Sequence, residues 1–422
     1  MTALSTVVSE ALPLADYLTC VLTQIRPLPA REVEVSQAYG QVVAEEIRAP
    51  APLPPFDHAT VDGYAARADD LAGAAVGRSV RLNVVGDLTA STWRPVRLAT
   101  GTCVSVAAGA PLPAAADLVV PPSATDQGMA AVEIHSTTRR GNGVRRTGGE
   151  VPGGAGLATA GTYVTPALLG LLASTGVGHV RVRARPRVAI VATGDELIEA
   201  GRVSQPGQVV DANSPALAAA AVEAGGQAYR ASICADDPER LRAALDELAG
   251  RADLVVTTGG TGHGPGDMAR RGLGRDGPVA FREVSVFPCS ALGFGLMTRP
   301  GPARGAAVPV ICLPGDPGSA LIGFEVLARP VIQMLAGGEP SFRPSVRAHL
   351  LETIASPVGR REFRPARVSE RRGGGYTVAP LAGGPYTLSG LAVANGLIVL
   401  GEKVGQAAAG STVDVLLLDR RC

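Results

Sequence analysis

No stretch of the 422 residues approaches the roughly 18 consecutive apolar side chains that a membrane span requires, although 46% of the chain is hydrophobic. The start, MTALSTVVSEALPLADYL, lacks a basic segment ahead of an apolar one, so a soluble, cytoplasmic protein is expected. There is no CxxC pair and no histidine near a cysteine at ligand spacing. The six cysteines (Cys20, Cys103, Cys234, Cys289, Cys312 and Cys422) are therefore expected to be buried, reduced thiols, which excludes a disulfide framework and a structural zinc site. No basic run alternates with aromatics and the net charge is +1, so nucleic acid is not an expected partner. Low-complexity tracts are also missing. The 53 glycines and 33 prolines are scattered, implying many short elements joined by tight turns.

The length calls for several domains. Apolar spacing predicts a first helix over residues 5–26, stopped by Pro27, then a short strand and helix between Glu32 and Ile47. The proline-rich APAPLPPF follows, and short β-type runs occupy residues 60–144. Pro166 to Ser174 reads as a helix ending at Gly176, before the alternating strand HVRVRAR. From Pro186 apolar strands alternate with helices, the pattern of a doubly wound, mostly parallel sheet covered on both faces. The end of the chain returns to short strands that read as a β-barrel. The expected organisation is an α/β multidomain chain: 1–50 plus 145–184 as an elongated helix and strand linker domain, 51–144 as a small β domain, 185–338 as the α/β ligand domain, and 343–422 as a C-terminal β-barrel.

In an open parallel sheet, ligands bind beyond the carboxyl ends of the strands. Two glycine-rich turns fall there, Thr257-Thr258-Gly259-Gly260-Thr261-Gly262 and Pro314-Gly315-Asp316-Pro317-Gly318-Ser319. Their backbone N–H groups and hydroxyls form candidate anion cradles. Asp195, Glu196, Asp236, Asp237 and Asp267 share the rim. Taken singly, each fits a helix cap, Asp237 before Pro238-Glu239 best of all. Together, hard oxygen ligands beside a phosphate cradle suit Mg²⁺, with Glu196 and Asp267 as candidate ligands. Asp211-Ala212-Asn213-Ser214 reads as a turn and cap. No nucleophile elbow accompanies His58 or His263, which argues against a triad hydrolase, and GxGxxG is truncated at Gly260 to Gly262.

PFDHATVDGYA, GAPLPAAADLVV, TGDEL, ADDPERLR, TTGGTGHGPGD and LPGDPGSA occur in an order and spacing that resembles the molybdopterin molybdenumtransferases, the MoeA and gephyrin E-domain family, over essentially the whole chain. The resemblance implies an elongated homodimer with four domains per subunit. In it adenylylated molybdopterin and molybdate meet, Mg²⁺ assists, molybdate enters the dithiolene and AMP leaves. By motif, the acidic residues are Asp62, Glu196, Asp236 and Asp267, with Asp62 reaching the site from the β domain, across the dimer. Thr258 to Gly262 and Pro314 to Ser319 would hold the pterin phosphate.

The departures are specific. Ala108 stands where the family has threonine; Glu283, Phe287 and Ser290 where it has lysines; Asp316 where it has asparagine; and Gly384-Pro385-Tyr386 where it has Gly-Ser-His. Three lost cationic contacts would cost roughly 5 kcal/mol. Arg270, Arg271, Arg275, Arg282 and Arg299 are candidate replacements, and returning lysine to 283, 287 and 290 should raise activity if their loss is a defect. Two function classes stay open on sequence: the molybdenum-inserting transferase, and a paralogue that binds a protein or another small phosphorylated substrate.

Overall fold

Pro13 fixes where the first helix starts. The residue before a proline is driven out of the helical region, so Leu12 is extended and its N–H donates to the Glu283 carbonyl at 2.9 Å. α1 (Leu14–Leu22) begins only after it, shorter than its apolar spacing predicts. The computed structural model describes residues 11–418 except 76, 92–94, 137–138, 265, 275–276, 301–306, 341 and 382–385. Val8 of the predicted helix thus lies outside the described residues, as do Arg275, Gly384, Pro385 and Cys422.

Between Glu32 and Ile47 the expected helix is only a 3-10 turn, Val35–Gln37, after the strand Ala30–Glu34. Gly40, at φ +74°, breaks the direction there. The strand pairs antiparallel with His179–Arg183. α2 (Pro166–Ser174) has the predicted bounds: Thr165 caps it by accepting from Leu168 N, and Gly176 turns away at φ +87°. Strands between residues 63 and 134 form a five-stranded sheet in the order Leu118–Val120, Gly63–Ala66, Thr102–Val106, Val80–Leu88, Ala131–Ile134.

The α/β domain carries a six-stranded sheet. Its strands are β1 (Arg187–Ala192), β2 (Gln227–Arg230), β3 (Leu254–Thr258), β4 (Val279–Glu283), β5 (Ala291–Thr298) and β6 (Ala307–Leu313), in the order β2-β1-β3-β6-β5-β4. The first four in that order are parallel, and β5 and β4 add antiparallel. The alternation of side chains along β1 divides the core: Val188 and Ile190 enter the cluster holding Leu217 of α3 (Asn213–Glu223), whereas Ala189 and Val191 join Leu241 and Leu245 of α4 (Pro238–Arg251). α5 (Met268–Leu273) follows the loop after β3, and α6 (Pro317–Gly323) starts after β6. The helical run Pro317–Leu335 is long and apolar enough to cross a membrane, yet 78% of it is buried inside the molecule, as a core helix would be.

Leu14, Tyr17, Leu18 and Val21 of α1 share the Val188 cluster, while Val33, Val43, Leu172 and Val182 form a separate one. α1 therefore packs on the α/β domain and not with the linker segments with which sequence position grouped it. Cys20 is exposed, contrary to expectation, while Cys103, Cys234, Cys289 and Cys312 are buried. Burial pushes the Cys103 thiol up to about 11. At the C-terminus, Arg361–Glu370, Tyr376–Pro380, Ser345–Leu350, Thr412–Leu417 and Gly396–Leu400 pair in turn, and the last returns to the first, closing a barrel.

Far from the strand ends, Asp253 accepts from Arg187 Nε at 3.0 Å and Arg299 Nη2 at 2.8 Å. Burial alone would raise its pKa, but the arginine hydrogen bonds outweigh it and hold the carboxyl below the usual range. A depressed folded value stabilises above the unfolded pKa of about 3.9, and that contribution is lost as pH falls through the folded value. Asp253→Asn should cost about 3 kcal/mol at pH 7. Thermal melts from pH 7 to pH 2.5 should show the gap to the unsubstituted protein narrowing below pH 4.

Candidate functional site

The loop after β3 can turn only because it has glycines. Gly259 and Gly260 have φ of +106° and +64°, and a Cβ on Gly259 would lie 2.6 Å from the Thr193 carbonyl. The turn brings β3 against the end of β1, where the Glu196 carboxylate folds back over Gly194: a Cβ there would meet Glu196 Oε2 at 2.5 Å. At the third strand end, Asp195 N donates to Asp236 Oδ2 at 3.3 Å and Asp236 N to Asp195 Oδ1 at 3.1 Å. Between these ends lies a cavity of about 250 Å³. Glu196, Asp211, Asp236 and Asp267 line it, with Thr258, Gly259, Gly260 and Gly315, and no lysine or arginine does so among the described residues.

The expected cradles are differently occupied. Asp267 accepts from Gly262 N at 2.8 Å and from Gly264 N, so a carboxylate of the protein takes the place that sequence reading gave to a ligand anion. Thr261 is buried and Gly262 is tied to Asp267, so neither borders the cavity. In the second turn the Pro314 carbonyl accepts from Thr258 Oγ1 at 2.8 Å. Asp316 caps α6, accepting from Ser319 N at 2.9 Å and Ser319 Oγ at 2.8 Å, which binds both residues to the helix end and keeps them out of the cavity wall. Asp237 caps α4 as expected, accepting from Glu239 N and Arg240 N, and these hydrogen bonds lower its pKa. Asp62 accepts from Ala108 N at 2.7 Å and does not border the cavity in this chain.

Asn213 lies in the segment that the sequence reads as a turn and cap, and it belongs to the site as well. It borders the cavity, and its Nδ2 donates to Thr258 Oγ1 and to the Gly315 carbonyl, both at 2.8 Å. The only local signal was its place at the start of an Ala-rich helix, which equally suits a cap.

Among the described residues no three His, Cys, Asp or Glu side chains converge as a metal-ligand set. Asp211 is paired with Arg230 Nη2 at 3.5 Å, but Glu196, Asp236 and Asp267 nevertheless suit Mg²⁺, which keeps several waters and takes only one or two protein carboxylates.

Family models match the chain in three consecutive blocks: the MoeA N-terminal region (domains I and II) at residues 12–176, a probable molybdopterin binding domain at 189–334, and the MoeA C-terminal region (domain IV) at 347–418. The chain belongs to the MoeA family. Molybdopterin molybdenumtransferase 2 of Mycobacterium tuberculosis is 36% identical over 406 residues, covering 95% of this chain and 98% of that protein. The Bacillus subtilis molybdopterin molybdenumtransferase is 29% identical over 393 residues, covering 92% and 89%. The crystal structure of a molybdopterin biosynthesis MoeA protein from Pyrococcus horikosii superposes with a TM-score of 0.79 at 29% identity, covering 97% of this chain and 99% of that one.

Lysine is scarce throughout the sequence: Lys403 is the only one. Of the arginines, Arg299 is spent on Asp253, Ala252 O and Gly250 O. Arg271 lies in a groove beside Pro238 and Arg242, and Arg282 lies beside Tyr17. Arg270 alone of the four described arginines adjoins the glycine loop. Its Nε donates to Thr261 O at 2.9 Å, its guanidinium lies 5.1 Å from the Phe281 ring centre, and Nη2 stands 3.9 Å from Glu283. His263 Nδ1 is 3.8 Å from the same carboxylate, so Glu283 faces a guanidinium and an imidazole. Phe287 packs edge-on against Tyr386 with ring centres 4.9 Å apart. The Tyr386 hydroxyl donates to the buried Glu362, and burial, then that carboxylate, push the phenol up. These aromatics join the barrel to the α/β domain where Val286–Phe287 pairs with Arg361 and Glu362.

Proposed function

We propose that this protein is a molybdopterin molybdenumtransferase, inserting molybdate into the dithiolene of adenylylated molybdopterin with release of AMP. The observation that carries this reading is that Glu196, Asp236 and Asp267, three of the four motif acids, border one cavity at the strand ends of the α/β domain. The residues that match the family's phosphate-binding segments, Thr258 to Gly262 and Pro314 to Ser319, form the two turns at that rim. Gly259, Gly260 and Gly315 offer backbone at the wall, while Asp316 and Ser319 hold the second turn in place.

Glu196 and Asp267 would hold Mg²⁺, which when bound neutralises phosphate oxygens and polarises the bond to the departing AMP. The protein's own part is to orient the pterin nucleotide on the glycine turns and to exclude water. With no cationic side chain on the cavity wall among the described residues, binding depends strongly on the added divalent ion. The chain acts as a homodimer in the cytoplasm. Asp62 then enters the partner subunit's site.

Purified protein mixed with adenylylated molybdopterin, molybdate and Mg²⁺ should release AMP, and EDTA should stop it. Absence of AMP while an active enzyme of the family works in parallel would overturn the proposal.

A further inference from the structure

Asn213 opens α3 in the wall of the cavity, and its network fixes which way its amide points. Gly315 offers it only a carbonyl oxygen, an obligate acceptor, at 2.8 Å. Thr258 spends its single hydroxyl proton on the Pro314 carbonyl at 2.8 Å, so toward Asn213 it too can only accept, also at 2.8 Å. The nitrogen must therefore face both loops and Oδ1 must face away from them. Oδ1 is buried and, among the described residues, has no hydrogen-bond donor. A buried acceptor without a donor is destabilising by about 1–3 kcal/mol, which selects for whatever completes it.

We infer that Asn213 is a positioning residue with two jobs. Nδ2 is a strut that sets the gap between the glycine loop after β3 and the turn after β6, its two acceptors lying 45 and 102 positions along the chain from Asn213. Oδ1 is an acceptor completed when the bound ligand brings an N–H or O–H to this wall and the wall adjusts around it. The inference rests on the proposed reading of the cavity, and it narrows the ligand's chemistry. A pterin amine or amide, or a nucleoside hydroxyl or amine, carries such a donor; fully ionised molybdate carries none.

Steady-state kinetics of Asn213→Ala and Asn213→Asp test it, with AMP release as readout and each substrate varied in turn. Asn213→Ala should raise KM for the adenylylated pterin by about thirtyfold, the scale of one lost charge-neutral network, while KM for molybdate moves less than about twofold. Asn213→Asp keeps an acceptor but sets a carboxylate against the Gly315 carbonyl, so it should not rescue. An unchanged pterin KM in Asn213→Ala overturns the inference, and so does an equal rise for both substrates, which would mean general collapse of the site. If the unsubstituted protein itself releases no AMP, the functional reading fails separately. Hydrogen exchange of residues 258–261 and 315–319 then still judges the strut: it should speed up in Asn213→Ala, and unchanged exchange overturns it.

Discussion

Asp267→Ala should lower AMP release at saturating substrates by at least about a hundredfold while the barrel and the sheet stay folded. The carboxylate has two roles that alanine removes together. It satisfies Gly262 N and Gly264 N, so its loss frees two N–H groups and the loop whose glycines reach the cavity. Each hydrogen bond from N–H to a carboxylate is worth about 1.5–3 kcal/mol, enough to let the loop leave its observed path. It also borders the cavity with Glu196 and Asp236. Removing it takes away one of the two proposed Mg²⁺ ligands. Asp267→Asn separates the roles poorly: one amide oxygen can accept from one glycine, but the NH₂ then faces the other N–H. It should recover no more than about a tenth of the activity. Measured kcat within threefold of the unsubstituted enzyme for either variant would remove Asp267 from the chemistry and leave it as a loop anchor. Hydrogen exchange at residues 259–264 reports the anchoring independently, since those amides should exchange faster in Asp267→Ala whatever happens to turnover.

How the sequence could be read follows from the range of the interactions. α2 and the Asp237 cap were legible because the signals that set them, Thr165-Pro166 with Gly176 and Asp237-Pro238, act within one helical turn. The glycine loops were legible for the same reason, since positive φ at Gly259 and Gly260 is a local requirement. What those loops hold was not legible. Whether an N–H group is free depends on where a carboxylate lands, and the capture of Gly262 and Gly264 by Asp267 is invisible in spacing that equally suits an empty cradle. Asn213 was read only as part of a turn and cap because its partners, Thr258 and Gly315, come from the ends of two other strands far along the chain. The start of α1 was misjudged because apolar spacing runs through Pro13, whereas Leu12 is held by Glu283 on β4. The helix expected between Glu32 and Ile47 failed for a tertiary reason: pairing with His179–Arg183 keeps Ala30–Glu34 extended, and Gly40 turns the chain before a helix can propagate.

Lysine at position 283 is the substitution for which sequence and structure give opposite expectations. Alignment to the family makes Glu283→Lys a repair; the side chains around it make it an injury. Glu283 lies 3.9 Å from Arg270 Nη2 and 3.8 Å from His263 Nδ1, so a lysine would bring like charge against the arginine that supports Thr261 O. Arg270 is in turn confined by Phe281, and its Nη2 is buried with no hydrogen-bond partner among the described residues, leaving it little room to swing away. Glu283→Lys should therefore lower kcat/KM by about tenfold, or about 1.4 kcal/mol, and the loss should shrink at high salt because the group is partly exposed. Phe287→Lys should add a separate loss of about 2 kcal/mol in stability, since it removes the ring packed on Tyr386 and places a charge beside a buried tyrosine-carboxylate pair. Ser290 holds its turn through its carbonyl, which accepts from Val284 N at 2.8 Å, so lysine there should be nearly neutral. The triple lysine variant is expected to be slower than the unsubstituted enzyme. Arg270→Ala alone should reproduce the kinetic part of that loss without the change in stability at the barrel. A triple variant faster than the parent would mean that Arg270 does not stand in for lysines at these positions, and that added cations improve the acidic cavity.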